Sequence, residues 1–221
     1  MFYLLLFVLI LFAILIIVTV IVLVMCLVNS GSNNRHDYSE NHKSPGLFEW
    51  MMTPEYKRVG IRGEIEASNA ILSVMHPDDR LFTNVSINYD GRPAELDNVI
   101  VNKYGVFIIE VKNYSGDIYG DEDDFEWQKY KTTDAGNTYV KTVKNPIKQV
   151  KRQCYLLARY LEYYGTKVWV NGYAILIQGN SPVVSDYILN NIYDIERVIH
   201  TPGRQMLSPK TIDDISRLLA R

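Results

Sequence analysis

Neither sign of charge dominates this chain: 25 Asp and Glu stand against 23 Lys and Arg in 221 residues, a formal net charge of −2. That balance excludes a strongly basic domain that holds nucleic acid by bulk charge. Cysteine is nearly missing, with only 2 in the chain. Cys26 lies in an apolar run and Cys154 is alone in the rest, so no disulfide can form within the remainder. No internal repeat stands out either. The last absence is local, since no charged side chain occurs from Phe2 to Val28.

That stretch is almost entirely Leu, Ile, Val and Phe. It exceeds the ~20 residues that cross a hydrocarbon core of ~30 Å, so residues 2–28 are expected to enter the lipid bilayer as a single transmembrane helix. A cleaved signal peptide fits less well, because no Lys or Arg precedes the run and the apolar segment is too long. The nearest basic residues, Arg35 and Lys43, follow it. The positive-inside rule therefore places the C-terminal part in the cytoplasm of a single-pass cell-membrane protein. The expected organisation is an anchor over 1–28, a polar linker over 29–46 and a folded domain over 47–221.

Within the domain, the periodicity predicts a first helix from about Val59 to Met75. Its buried stripe is read as Ile61, Ile65, Ser68, Leu72 and Met75. Glu64 falls within about 50° of the stripe's centre and Glu66 nearly opposite. A carboxylate at the edge of a buried stripe needs a partner, so Glu64 is the functional candidate of the two. A first strand is expected over Leu81–Tyr89, and a short fourth over Asp117–Tyr119. The acidic run Asp121–Asp124 lacks the spaced ligands of a calcium loop and reads as a solvated turn.

Asn145 suits an N-cap, Pro146 the first helical position and Gly165 the end of a second helix. Its buried face is expected at Ile147, Val150, Cys154, Leu157 and Leu161, flanked by Gln149 and Gln153. Lys144, Lys148, Lys151, Arg152 and Arg159 give the 144–159 helix a basic surface, the expected contact with DNA phosphates. Val168–Gln178 reads as a buried strand, Asp186–Ile199 as mixed structure, and a final helix follows Ser208-Pro209. This order indicates an α/β fold with a mixed sheet.

The chemistry concentrates on one hairpin. Asn98–Asn102 and Val106–Val111 are β-branched-rich runs around Lys103-Tyr104-Gly105, and an antiparallel pair centred there sets Asp97 opposite Glu110 or Val111. Glu110 and Lys112 share a face by strand alternation, while Val111 points to the apolar layer. Hydrolysis of a phosphodiester needs charge neutralisation and an activated water, which a divalent cation supplies. One Asp, one Glu and a main-chain carbonyl such as that of Val111 suit magnesium, with Lys112 beside them. Glu64 on a helix and Gln149 on a later one complete a set of polar groups aimed at one end of the sheet.

Several motifs occur here in a fixed order: Gly60-Ile61-Arg62-Gly63-Glu64, Glu95-Leu96-Asp97-Asn98-Val99-Ile100-Val101, Gly105-Val106-Phe107-Ile108-Ile109-Glu110-Val111-Lys112-Asn113, Gly116-Asp117-Ile118, Trp127, and Asn145-Pro146-Ile147-Lys148-Gln149. Together they resemble the NERD, or nuclease-related, domain over about Gly60 to Tyr164. The resemblance implies a PD-(D/E)XK restriction-endonuclease-like core, a mixed central sheet flanked by helices, and a magnesium-dependent site, with manganese as the alternative ion. It makes Asp97 and Glu110 metal ligands, Lys112 the catalytic lysine, Glu64 an accessory acid and Gln149 the helical glutamine that helps place substrate or lysine. Leu96 stands where the family has proline before the aspartate. No small organic cofactor is implied.

The leading expectation is a membrane-anchored, metal-dependent deoxyribonuclease. The runner-up is a catalytically inactive nuclease-fold protein, a scaffold for nucleic acid or protein at the membrane. Hydrolysis of another phosphodiester or nucleotide ranks third.

Overall fold

A computed structural model describes residues 55–133 and 135–220, with the backbone alone for residues 55–62 and for Glu64. The expected anchor and linker lie outside the described residues. Among the described residues no helix is long and apolar enough to cross a membrane.

The chain forms α1 (Glu55–Val74), then β1 (Arg80–Tyr89), β2 (Arg92–Asn102) and β3 (Gly105–Lys112). After these come three short strands, β4 (Asp117–Tyr119), β5 (Glu126–Thr132) and β6 (Thr138–Lys144). Helix α2 (Pro146–Tyr163) leads to β7 (Val170–Leu176) and β8 (Ile188–Leu189), and α3 (Ile192–His200) and α4 (Pro209–Leu219) close the fold. A mixed five-stranded sheet, ordered β1-β2-β3-β7-β8, is antiparallel up to β3 and parallel from β3 onward. The strands β4-β5-β6 make a separate antiparallel sheet.

Helices cover both faces of the large sheet. On one face Ala67, Ile71 and Met75 of the α1 segment and Ile195 and Ile199 of α3 pack on Ile100, Phe107, Ile109 and Val111. On the other, Leu156, Leu157 and Leu161 of α2 and Ile215 and Leu219 of α4 pack on Val99, Val101, Val106 and Ile108. Successive β3 residues alternate between two buried faces, which explains its continuous apolar run. The small sheet packs through Ile118 and Trp127 against Ile147 of α2 and Ala174 and Leu176 of β7.

Helix α2 forms where its punctuation places it. Asn145 caps it, its Oδ1 accepting from the backbone of Ile147 at 2.8 Å and Lys148 at 3.3 Å, and Pro146 opens the first turn. The amide of the same Asn145 donates to the carbonyls of Asp121, Glu122 and Asp124. The acidic run is thus a turn strapped to the helix start, in keeping with the solvated-turn reading.

The expected stripe on α1 is corrected. Ile65 is 44% exposed and Ser68 and Leu72 are half-buried, whereas Gly63, Ala67, Ile71 and Met75 are buried. Gly63 and Ala67 join Ile71 and Met75 on the packed face in place of Ile65, because the helix packs closely: a Cβ at Gly63 would lie 2.7 Å from Cβ of Asn113. The helix also begins at Glu55 rather than Val59. The Val168–Gln178 strand shortens to Val170–Leu176, and β5 and β6 appear where no strands were expected.

Candidate active site

Alternation along β3 decides which groups meet. Phe107, Ile109 and Val111 fill the α1/α3 side, and Val106 and Ile108 fill the α2/α4 side. Glu110 and Lys112 therefore face α2. On β2, Leu96 as well as Val99 and Val101 lie on the α2 side, so strict alternation breaks between Leu96 and Val99, and Asp97 is placed by its hydrogen bond to Val111. The β2–β3 ladder ends at Asn98 opposite Ile109, and the next pair outward is Asp97 with Glu110.

Asp97 is half-buried, and its Oδ2 accepts the backbone N–H of Val111 at 2.8 Å. The carboxylate is thereby fixed across the hairpin. On the far side of β2, the pairing with β1 runs Thr83 to Asn98 and resumes at Val85 with Leu96. The residue skipped, Asn84, has a left-handed φ of 52°. The backbone is irregular directly beside Asp97, as it often is where a strand aims a functional side chain.

Glu110 is 1% exposed. A buried carboxylate is costly unless charge and hydrogen bonds compensate it. Here Oε1 accepts from Lys112 Nζ and from Gln149 Nε2, each at 2.5 Å, and Oε2 accepts from Gln153 Nε2 at 2.7 Å. Three side chains from two elements thus converge on one carboxylate: β3 supplies it and its ammonium, and α2 supplies two amides one turn apart.

Gln153 is more buried than Gln149 and also donates to the Glu95 carbonyl at 2.9 Å. The sequence reading placed it beside the buried face without a site role. Its position one turn after Gln149 on the same stripe was the available signal. Its Oε1 is buried and has no hydrogen-bond partner among the described residues. Val111 turns its side chain into the apolar cluster, so only its backbone reaches the site. Glu64 lies within α1 next to Gly63, the residue seated on Asn113, and its side chain is outside the described residues.

Burial acts to lower the pKa of Lys112, but the charges of Glu110, Tyr114 and Asp97 and the hydrogen bond to Glu110 outweigh it and hold the ammonium above its ordinary value of 10.5. Lys112 is therefore a cation at neutral pH and acts by charge and hydrogen bonding. Tyr114 follows in the same segment, its hydroxyl raised by burial and by Glu110 against the opposing pull of Lys112. A cavity of about 690 Å³ opens beside Gln149 and Gln153, rimmed by Lys144, Lys148, Arg152 and the exposed ring of Phe125.

The donors at Asp97, Glu110 and the Val111 main chain are all oxygen, which suits a hard divalent cation. Two carboxylates against one ammonium leave net negative charge. The residues present fit such an ion.

A second group of metal-ligating type lies elsewhere: His76, Asp79 and His200 bring ligand atoms within 4.8 Å of one another. His200 edges against Tyr104 in the β2–β3 turn, at the opposite end of β3 from Glu110. Its Nε2 is 2.7 Å from Asp79 Oδ2, and its ring stacks on His76 at 3.7 Å with 7° between planes. Two parallel rings cannot both hold one ion in their planes, so in this arrangement the trio ties α3 to the start of β1.

Residues 59–177 match the family model described as NERD, nuclease-related domain. Comparison with curated proteins and with solved structures gives no match.

Proposed function

The chain belongs to the nuclease-related domain family, and from that premise we propose that it is a membrane-anchored, metal-dependent nuclease that hydrolyses DNA phosphodiester bonds. The observation that carries this reading is the buried Glu110 carboxylate, held by Lys112, Gln149 and Gln153 beside Asp97 at the carboxyl end of a central strand. Packing alone gives no reason to bury a charge with three polar partners there. The mixed sheet flanked by helices supports a PD-(D/E)XK core.

Asp97, Glu110 and the carbonyl of Val111 would hold magnesium, or manganese in its place. When bound, the ion supplies Lewis acidity and neutralises phosphate charge. Lys112 then presents its ammonium to a phosphate oxygen or to the attacking water and steadies the charge that develops. Gln149 shares Glu110 Oε1 with Lys112 and so fixes both in relation to each other. Glu64 serves as an accessory acid from α1. The 144–159 helix offers phosphate contacts beside the cavity. Residues 2–28 anchor the domain, residues 29–46 tether it, and residues 47–221 work on the cytoplasmic side.

The full chain, purified in detergent, is expected to cleave DNA with magnesium or manganese. Asp97→Ala, Glu110→Ala and Lys112→Ala should each abolish cleavage while circular dichroism shows a folded domain. A wild-type chain that neither cleaves nucleic acid nor binds a divalent ion would replace this reading with the scaffold one. Protease digestion of the domain from outside intact cells would overturn the cytoplasmic placement.

A further inference from the structure

The small sheet carries a charge pattern that its own stability does not explain. Trp127, Lys129 and Lys131 of β5 point to one face, and their register partners on β6 are Val143, Lys141 and Tyr139. At the inner end of this face Trp127 is fully buried. At the outer end Lys129 and Lys141 stand directly opposite each other. Like charges in that position are destabilising. None of Lys129, Lys131 and Lys141 forms an ion pair with a carboxylate among the described residues, in a chain with more acidic than basic side chains.

The basic residues of α2 differ in this respect. Lys151 pairs with Glu122 at 2.6 Å, Lys148 donates to the Asp123 carbonyl at 2.6 Å, and Arg159 pairs with Glu162. Lys148, Lys151 and Arg159 are thus each engaged by an oxygen of the protein, whereas Lys129, Lys131 and Lys141 have no ion pair among the described residues.

Their face is concave and adjoins the segment that follows Lys112. Ser115, Lys129, Lys131, Tyr139 and Lys141 line a depression of about 300 Å³. Ser115 comes three residues after Lys112, and between them the Tyr114 ring has the Lys129 ammonium 5.8 Å from its centroid. A backbone bound in the depression would lead directly to the Lys112 end of β3.

We propose that Lys129, Lys131 and Lys141, with Ser115 and Tyr139, form the groove that holds the DNA sugar-phosphate backbone flanking the scissile bond. The proposal rests on the nuclease reading for its substrate class and adds the surface that binds it. An anionic lipid surface would also attract lysines. The concavity and the junction with Lys112 through Tyr114 favour a nucleic-acid strand.

The test is equilibrium binding of the full chain in detergent to fluorescently labelled duplex DNA, titrated over salt in EDTA so that no cleavage occurs. Each lysine–phosphate contact contributes about 0.9 to the slope of log K against log salt, so the Lys129→Gln/Lys131→Gln/Lys141→Gln protein should lose roughly 2 to 3 units of slope. The corresponding triple Arg protein should keep it. Relief of the Lys129–Lys141 repulsion should leave the thermal midpoint of the Gln protein unchanged or higher, and the single Lys141→Gln protein should lose about 1 unit of slope. Unchanged slope and affinity in the triple Gln protein overturns the groove, as does a wild type that binds no DNA in EDTA. Loss of binding to phosphatidylglycerol vesicles with DNA binding intact overturns it in favour of lipid. Wild type that shows the slope but cuts nothing with magnesium refutes the nuclease reading and leaves the groove standing. Wild type and triple Gln proteins that bind and cut alike refute the groove alone.

Discussion

Asp97 Oδ2 takes the backbone N–H of Val111 at 2.8 Å, one step beyond the last regular pair of the β2–β3 ladder. One carboxylate oxygen thus closes the hairpin in place of a main-chain carbonyl. The hydrogen bond needs only an acceptor oxygen whereas ion binding needs the charge, so the two duties separate by substitution.

Asp97→Asn keeps an amide oxygen that can accept from Val111, and its stability in urea should stay within about 0.5 kcal/mol of wild type. Asp97→Ala leaves that N–H unpaired and should cost about 1–2 kcal/mol. Both should lose divalent-ion binding by calorimetry, because each removes a charged oxygen ligand. Equal stability of the two variants would sink the hydrogen-bond assignment.

Gln153 and Gln149 contact the same carboxylate but should differ in weight. Gln153→Leu leaves the buried Glu110 Oε2, and the partly buried Glu95 carbonyl, without their donor. A loss of about 1–3 kcal/mol in urea unfolding is expected. Gln149→Leu is half-buried and leaves Lys112 on Glu110 Oε1, so its cost should be smaller. The reverse order would show that Gln149, not Gln153, is the main support of Glu110.

The hairpin and α2 were legible because their signals are local. A Gly-containing turn sets the register that brings Asp97 to Glu110, and Asn145-Pro146 marks the helix start wherever the helix packs. Part of the α1 face was not legible because hydropathy ranks Ile65 above Gly63 and Ala67, whereas close helix–sheet approach selects small residues. Strands β5 and β6 were not legible since Lys and Thr fill their exposed positions, and only tertiary docking through Trp127 pins the sheet. Gln149 and Gln153 both depend on a distant partner, 39 and 43 positions away, and only Gln149 lies inside the Asn145–Gln149 motif that pointed to it.

Cys154 packs on α2 against β7, where a Cβ on Gly172 would fall 2.3 Å from its Sγ. Burial pushes its thiol up to about 12, against a small opposing effect from its backbone hydrogen bond. At pH 8 the native thiolate fraction is then on the order of a thousandfold below that of the unfolded chain. In a Cys26→Ser background, labelling with a disulfide reagent should be correspondingly slow until urea is added. The native state keeps its proton between the ordinary value of 9.0 and about 12. The thiol's contribution to stability is therefore present below pH 9 and falls as pH rises toward 12. Rapid native labelling at pH 8 would contradict the burial of this thiol.

Lys112 lies 2.5 Å from Glu110, with side-chain exposures of 16% and 2%. Removing one partner of a buried pair leaves the other charge uncompensated, so Lys112→Met should cost about 3 kcal/mol in urea. Adding Glu110→Gln removes the stranded charge, and the double variant should recover a substantial part of the loss. Since the folded-state pKa of Lys112 is raised above 10.5, the ammonium's contribution is fully present below that pH and is lost as pH rises through the folded value. The difference between wild type and Lys112→Met should thus stay flat from pH 7 to about 9.5 and shrink above 10.5. A difference that instead grows from pH 7 to 10 would mean that the folded-state pKa lies below the unfolded value, so that Lys112 sheds its proton near neutrality, and its role at the site would then be that of a base.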